Sequence, residues 1–191
     1  MSDKAYPVSY SFLEESLGYT FKDKSLLVNA LTHSSYSNEV HSRDGKLLPF
    51  NERLEFLGDS VLGIITSEYL YSRDSQMPEG MLTKTRAKLV CENALYLYAK
   101  KISLGDYLYL GRGEEMMDGR NRKSILADAF EALLAAMYID GGKEPTKQFL
   151  MPFLLWEIDR DDDKVKDYKT LLQQITQQMQ GEVLEYVLIE E

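Results

Sequence analysis

Residues 51–73 read NERLEFLGDSVLGIITSEYLYSR, and the spacing of their apolar residues predicts one long helix. With about 100° of rotation per residue, Glu52, Glu55 and Asp59 fall on one stripe of this helix. Apolar residues, Phe56 among them, border the stripe and leave little surface for water. The stripe therefore predicts carboxylates that converge on one ion, with the solvent-facing side of an ordinary amphipathic helix as the alternative.

A second helix with acidic residues is predicted over ILADAFEALLAAMYI, residues 125–139. Its only charged residues, Asp128 and Glu131, lie three positions apart and therefore on one face. Ala, Leu, Phe and Met surround them, so most of this helix is predicted to be buried. Burying an unpaired carboxylate costs on the order of several kcal/mol, and neighbouring carboxylates repel each other. Because the helix contains no Lys or Arg, we expect cationic side chains from elsewhere, or a metal ion, to meet these acids.

Acidic residues on two helices, without His or Cys, are typical of an oxygen-only site for a hard cation. Mg²⁺ fits such a site best, with Mn²⁺ as a substitute, and sites of this kind serve phosphoryl chemistry. A buried network of salt bridges explains the spacing equally well. Zinc is improbable, because His33, His41 and Cys91 are the only His and Cys residues, and the two histidines are typical of a capped helix end.

Composition and charge limit the remaining classes of protein. The chain has 191 residues, of which 44% are apolar, enough for one globular domain and a short appendage. Its net charge of −9 is unusual for a nucleic-acid-binding protein, yet divalent cations neutralise carboxylates and approaching phosphates alike. No signal peptide is expected, and no apolar run reaches the roughly 18 residues of a membrane-spanning helix. The single Cys91 predicts a reducing compartment, the cytoplasm.

The rest of the chain also predicts helices, and hence an all-α domain over residues 1–158. Two short helices near the start precede a polar connection at residues 40–49. Pro78 and Glu79 are good starting residues for a further helix. Residues 103–123, which are rich in Gly and charge, predict a mobile loop.

The composition changes at DRDDDKVKD, residues 159–167, where a charged run without an apolar face predicts a solvated linker. Residues 168–191 then predict one helix, a glycine turn and one strand. A lone helix and strand cannot build a core. We therefore expect a domain that is cut short.

These motifs resemble those of one family, ribonuclease III. The resemblance starts with NERLEFLGDS and continues in order through PEGMLTKTRAKLV, LGDYLYLGRGEE and SILADAFEALLAAMYIDGG, covering about residues 10–158. Residues 168–191 resemble the first helix and strand of that family's double-stranded RNA-binding domain. The resemblance implies an all-α endonuclease domain followed by a partial α/β domain, and a homodimer that binds double-stranded RNA at two Mg²⁺-dependent sites.

The resemblance also implies roles for individual residues. Four of them match the family's metal-binding and catalytic acids: Glu55, Asp59, Asp128 and Glu131. Among these, Asp59 and Glu131 are expected to be essential for catalysis.

Further residues match supporting positions of the family. Glu52 is expected to hold the acidic network together, and Glu79 to help engage the scissile region of the RNA. Phe56 matches an aromatic residue that enters a pocket of the partner subunit, with ordinary core packing as the alternative. Three polar residues match positions that reach the RNA minor groove: Thr170, Gln173 and Gln174.

Basic residues that contact RNA phosphates are harder to assign. Lys84, Arg86 and Lys88 alternate with apolar positions, and such charges often only solvate a helix. The segment 103–123 is a better candidate, since it contains four cations: Arg112, Arg120, Arg122 and Lys123.

The resemblance implies hydrolysis of both strands of double-stranded RNA to 5′-phosphate and 3′-hydroxyl ends, in the processing of ribosomal and other RNA precursors. One alternative is a catalytically silent dimeric relative that only binds the duplex. Such a relative is expected to lack some of the catalytic acids, whereas this sequence contains all four core acids. Another is a helical metal-dependent phosphohydrolase acting on nucleotides. Such proteins commonly need a His–Asp pair, which this sequence does not offer.

Overall fold

The computed structural model of the protein describes residues 10–163, and this part of the chain folds into helices. Its nine α-helices are α1 Tyr10–Leu17, α2 Lys24–Leu31, α3 Ser34–Asp44, α4 Glu52–Arg73, α5 Glu79–Leu89, α6 Glu92–Lys101, α7 Arg112–Met116, α8 Lys123–Gly141 and α9 Lys143–Asp163. Two short 3-10 helices, Leu104–Tyr107 and Gly119–Asn121, lie on either side of α7. The predicted helix start at Pro78 and Glu79 is confirmed.

Helix α8 forms the centre of the core. Every residue from Ile125 to Met137 is buried except Asp128 and Glu131. Helices α2, α4 and α6 pack against α8. On one side of it, the Phe130 ring lies among three other aromatic rings, with centroid distances of 5.7 Å to Tyr98, 5.8 Å to Phe149 and 5.6 Å to Phe153. The prediction of a mostly buried helix is confirmed, and α8 ends at Gly141, with Gly142 as its cap.

Helix α3 occupies part of the predicted polar connection at residues 40–49, so that prediction is wrong for residues 40–44. The His33 side chain caps the start of α3 by accepting a hydrogen bond from the Ser35 backbone N–H. Gly45 ends the helix in the left-handed conformation, with φ of 69°. Caps at both ends stabilise this polar helix, although its apolar pattern is weak.

Residues 103–123 contain two 3-10 helices and α7, so the prediction of a loop is wrong for the residues in these elements. The Arg120 guanidinium lies inside the segment, where its Nη1 donates to the carbonyl oxygens of Gly105 and Leu108, at 2.8 Å each. Its Nε donates to Glu115 Oε1 at 2.7 Å. This one cation therefore links the first 3-10 helix and its cap residue to α7.

Helix α9 continues to Asp163, so the first residues of the predicted linker 159–167 are helical. A compact unit of the chain ends within this helix, at Leu154. The remainder of the linker and the predicted partial RNA-binding domain, residues 168–191, lie outside the described residues.

The last turns of α9 have contacts of their own. Arg160 forms an ion pair with Glu157 and lies over the Trp156 ring, 5.0 Å from its centroid. Across residues 10–163, no helix combines the length and the apolar character that crossing a membrane requires.

Candidate active site

The acidic stripe of α4 lies on an open side of that helix. Glu52 and Asp59 are exposed and Glu55 is half-buried, so the expectation of little water-facing surface is wrong. The apolar neighbour Phe56 is also exposed. The side of α4 that faces the core is formed by other residues, among them Leu54, Gly58, Val61, Leu62 and Ile65.

The start of α4 is fixed by backbone contacts. Asn51, which precedes the helix, is buried, and its N–H donates to the Thr32 carbonyl oxygen at 2.9 Å. The Asn51 carbonyl in turn accepts from the Glu55 N–H at 2.8 Å. These contacts hold the first acids of α4 in place relative to the end of α2.

Asp128 and Glu131 interrupt the buried run of α8, and both are half-buried. Neither forms an ion pair with a Lys or Arg side chain in the part of the chain that the structure describes. This arrangement argues against the salt-bridge network that the spacing left open as an alternative.

The two acidic helices touch at Gly58. A Cβ atom added to this residue would lie 2.0 Å from the backbone oxygen of Glu131. Sequence reasoning did not single out Gly58, although a glycine within a helix costs about 1 kcal/mol relative to alanine and therefore signals a close approach. The contact brings the acids of α4 beside those of α8.

The pKa of the Glu131 carboxyl group lies well above its ordinary value. Burial, and then the negative charges of Asp59, Glu55 and Asp128, together raise its pKa to about 8. A carboxyl group with such a pKa holds its proton near neutral pH when no cation is bound.

Glu55 and Asp128 are shifted in the same sense. Burial, and then the charges of Asp128 and Glu52, raise the pKa of Glu55. Burial and the charge of Glu92 raise the pKa of Asp128, while the His33 ring lowers it. The acids of both helices therefore lie in one electrostatic environment that disfavours their negative charge.

The donor set suits a hard cation, because it contains only carboxylate oxygens and no Lys or Arg of residues 10–163 forms an ion pair with any of the four acids. As the side chains stand within residues 10–163, no group of three or more His, Cys, Asp or Glu residues is close enough together to hold a metal ion. The uncompensated charge fits a cation, and convergence of all four carboxylates on it remains a prediction.

A protein-family model described as Ribonuclease-III-like matches residues 23–158. The chain belongs to the ribonuclease III family. The curated Ribonuclease 3 of Caldanaerobacter subterraneus subsp. tengcongensis is 48% identical over 183 residues, which are 95% of this chain and 78% of that protein. The curated Ribonuclease 3 of Anoxybacillus flavithermus is 44% identical over 192 residues, which are 100% of this chain and 79% of that protein.

Solved structures agree with this assignment. Two solved structures of the nuclease domain of ribonuclease III from Campylobacter jejuni are each 40% identical and cover 76% of this chain, with TM-scores of 0.69 and 0.68 over 96% and 93% of their own lengths. One of them shows structural flexibility in a region involved in dimer formation. The predictions of a ribonuclease III endonuclease, with an all-α nuclease domain, are confirmed.

Glu79 lies on a different helix from the four core acids of α4 and α8. It is the exposed first residue of α5, and its Oε1 accepts a hydrogen bond from Thr83 Oγ1 at 2.8 Å. The structure thus confirms its place at a helix start and leaves its predicted contact with RNA a prediction.

The two histidines occupy the ends of α3, as the sequence predicts: His33 caps the start, and His41 lies in the last turn. The effect of His33 on Asp128 was not predicted. The ring is held by its Nδ1, which is 2.8 Å from Ser35 Oγ. No sequence signal links these residues, because they are distant in the chain.

The candidate RNA-binding cations divide into two groups. Besides Arg120, which is held by carbonyl groups, Arg122 Nη1 pairs with Glu114 Oε2 at 2.8 Å. By contrast, Arg112 and Lys123 are exposed. Among the cations of α5, Lys84 and Lys88 are exposed, and Arg86 Nη1 donates to Ser67 Oγ at 3.1 Å.

An open cavity of about 350 Å³ lies between α4 and α5. Its lining is mostly apolar and includes Ile64, Leu70, Tyr71 and Leu82. Phe56 is not part of this lining and is 81% exposed, so core packing, the alternative explanation of this residue, is wrong.

The predicted RNA-binding residues lie outside the described part of the chain: Thr170, Gln173 and Gln174.

Proposed function

We propose that this ribonuclease III is a Mg²⁺-dependent enzyme that hydrolyses both strands of double-stranded RNA and leaves 5′-phosphate and 3′-hydroxyl ends. The observation that carries the proposal is the carboxylate surface where α4 and α8 touch, which consists of Glu55, Asp59, Asp128 and Glu131. Burial and the charges of the three neighbouring acids raise the pKa of Glu131 to about 8. A site that disfavours its own negative charge is suited to bind a cation.

In this proposal, Glu55, Asp59, Asp128 and Glu131 hold Mg²⁺, with Mn²⁺ as a substitute. When bound, the cation supplies an activated water molecule and neutralises charge on the phosphate and the leaving oxygen. Asp59 and Glu131 are the residues proposed to be essential, since each belongs to a different helix and the charge of one acts on the other. Loading the site releases the Glu131 proton, because a carboxylate must be deprotonated to bind a cation.

Two further acids support the site in this proposal. Glu52 is the first residue of α4 and adds its charge beside Glu55, which increases the attraction for the cation that holds the network together. Glu79 opens α5, where its exposed carboxyl group is available to the scissile region of the RNA.

We further propose that the chain works as a homodimer in which Phe56 contacts the partner. A phenylalanine that is 81% exposed carries apolar surface without a partner of its own. The cavity between α4 and α5 is a suitable receptacle, since its volume of about 350 Å³ exceeds the roughly 150 Å³ that accommodates a benzene ring. Dimerisation would place one site on each RNA strand.

The proposed substrates are duplex regions of ribosomal and other RNA precursors. Thr170, Gln173 and Gln174 are proposed to reach the minor groove, where A-form RNA is recognised by its shape and 2′-hydroxyls. The exposed, unpaired Cys91 suits a reducing compartment, and we propose the cytoplasm.

The test is cleavage of an end-labelled RNA duplex by the 191-residue chain with Mg²⁺, beside a Ca²⁺ control and the Glu131→Gln variant. The proposal predicts cuts in both strands, 5′-phosphate ends, and loss of cleavage in the variant. A duplex that is bound but stays intact under every condition would instead support the silent relative.

A further inference from the structure

Two charged residues, each the first residue of its helix, lie next to the carboxylate surface. Glu92 is the first residue of α6 and Lys123 the first residue of α8. The Lys123 Nζ is 3.7 Å from Glu92 Oε1. Lys123 lies on the same helix as Asp128, and α6, which begins with Glu92, packs against that helix, so the pair lies near the proposed catalytic acids. The Glu92 charge also acts on Asp128.

The Lys123–Glu92 pair is loose. Its N···O distance of 3.7 Å is too long for a hydrogen bond, and the two side chains are 46% and 56% exposed. Exposed ion pairs of this kind contribute little free energy, so another anion can replace the carboxylate.

The nearby arginines differ from Lys123 in this respect. Arg120 is held by Glu115 and by two carbonyl groups, and Arg122 pairs with Glu114 at 2.8 Å. Among Arg120, Arg122 and Lys123, the Lys123 side chain is therefore the one that can move most easily toward a ligand.

We propose that Lys123 contacts a backbone phosphate of the RNA next to the carboxylate surface, and that Glu92 holds its ammonium group while RNA is absent. This inference rests on the proposed function and names a residue that positions the substrate. RNA phosphates are repelled by the carboxylates, and a cation at the edge of the carboxylate surface reduces this repulsion. A lysine ammonium can bind a phosphate as a compact positive charge. Such contacts fix the register of the nucleic acid without reading its sequence.

The experiment measures binding of a fluorescein-labelled RNA duplex by anisotropy, with Ca²⁺ in place of Mg²⁺, over a series of salt concentrations. The proteins are the full chain, Lys123→Gln, Lys123→Arg, Glu92→Gln and the double variant. Lys22→Gln is the matched control, since Lys22 is an exposed lysine whose Nζ donates to the Asp140 carbonyl oxygen, at the opposite end of α8.

Lys123→Gln should reduce the salt slope of binding by about one unit and weaken binding about fivefold at 0.15 M salt, since one released counterion is lost. Lys123→Arg and Lys22→Gln should keep the slope. Glu92→Gln should tighten binding, and this gain should disappear in the double variant, because it acts through Lys123.

An unchanged slope in Lys123→Gln, or the same loss in Lys22→Gln, would overturn the inference. A Glu92→Gln effect that persists in the double variant would overturn the role of Glu92. A full chain that binds the duplex but does not cleave it with Mg²⁺ would refute the proposed activity alone, whereas a full chain that does not bind the duplex would refute both.

Discussion

The backbone of Gly58 lies directly against the backbone carbonyl of Glu131, so closely that a Cβ atom on residue 58 would stand 2.0 Å from that oxygen. This contact sets the spacing of α4 and α8, and with it the spacing of the acids on the two helices. Because the obstructing atoms belong to the main chain, they cannot rotate away as the end of a side chain would.

Gly58→Ala should therefore push the two helices apart. Overpacking of this kind costs about 1–3 kcal/mol, which the better helix propensity of alanine offsets only in part. We expect a lower free energy of unfolding in urea and a loss of RNA cleavage. The matched control is Gly63→Ala in the same helix, where no atom lies within 4 Å of the new Cβ and stability should rise by about 0.5–1 kcal/mol. Equal stabilisation by both substitutions would contradict the account.

The raised pKa of Glu131 predicts how stability depends on pH in the metal-free protein. The folded chain keeps this proton up to a pKa of about 8, whereas the unfolded chain loses it near the ordinary value of 4.5. Between these values the folded state binds more protons, so the free energy of unfolding falls as pH rises.

Glu131→Gln should remove most of this pH dependence. At pH 8 the variant should be more stable than the unsubstituted chain, by on the order of 2–4 kcal/mol. Urea unfolding in EDTA at a series of pH values measures the effect, with the exposed Glu15→Gln as control. Parallel pH profiles for the unsubstituted chain and Glu131→Gln would show that the carboxyl group is not perturbed.

Phe56→Ala should shift the chain from dimer to monomer and leave its folding intact, because the ring is 81% exposed and contributes little to the core. Sedimentation velocity gives the oligomeric state, and thermal unfolding of the monomeric fraction gives the stability. Met116→Ala is a fair control, since Met116 is 83% exposed on α7. A dimer that both substitutions leave unchanged would remove Phe56 from the proposed contact.

Arg120→Gln should destabilise the fold and leave the salt slope of RNA binding unchanged. The substitution removes charge-assisted hydrogen bonds to Gly105, Leu108 and Glu115, at a cost of about 3 kcal/mol. Arg112→Gln, at an exposed cation of the same segment, should change stability by less than about 0.5 kcal/mol. The salt slope should be measured under conditions where the Arg120→Gln variant is folded. A reduced slope would show that Arg120 contacts RNA, contrary to this prediction.

The acidic helices were predictable from sequence because their signals are local. Apolar periodicity predicts α4 and α8, and two acids in an otherwise apolar run mark Asp128 and Glu131 as exceptional. The end of α3 was not predictable in this way, since its stability comes from caps at His33 and Gly45.

Other features depend on contacts between distant parts of the chain. The role of Arg120 follows from carbonyl groups that only the folded segment brings together. Similarly, the exposure of Asp59 depends on which side of α4 faces α8, and periodicity alone does not determine this. The proximity of Glu92 to Asp128 likewise depends on the packing of α6 against α8.

The most direct test of the account is Mn²⁺ binding to the RNA-free chain near neutral pH, measured by electron paramagnetic resonance. If the acids of α4 and α8 hold one cation, Glu55→Gln, Asp59→Asn, Asp128→Asn and Glu131→Gln should each weaken binding at least about tenfold, while Glu15→Gln should leave it unchanged. Binding of equal strength in the unsubstituted chain and in the Asp128→Asn and Glu131→Gln variants would contradict the claim that the acids of α4 and α8 form one cation site.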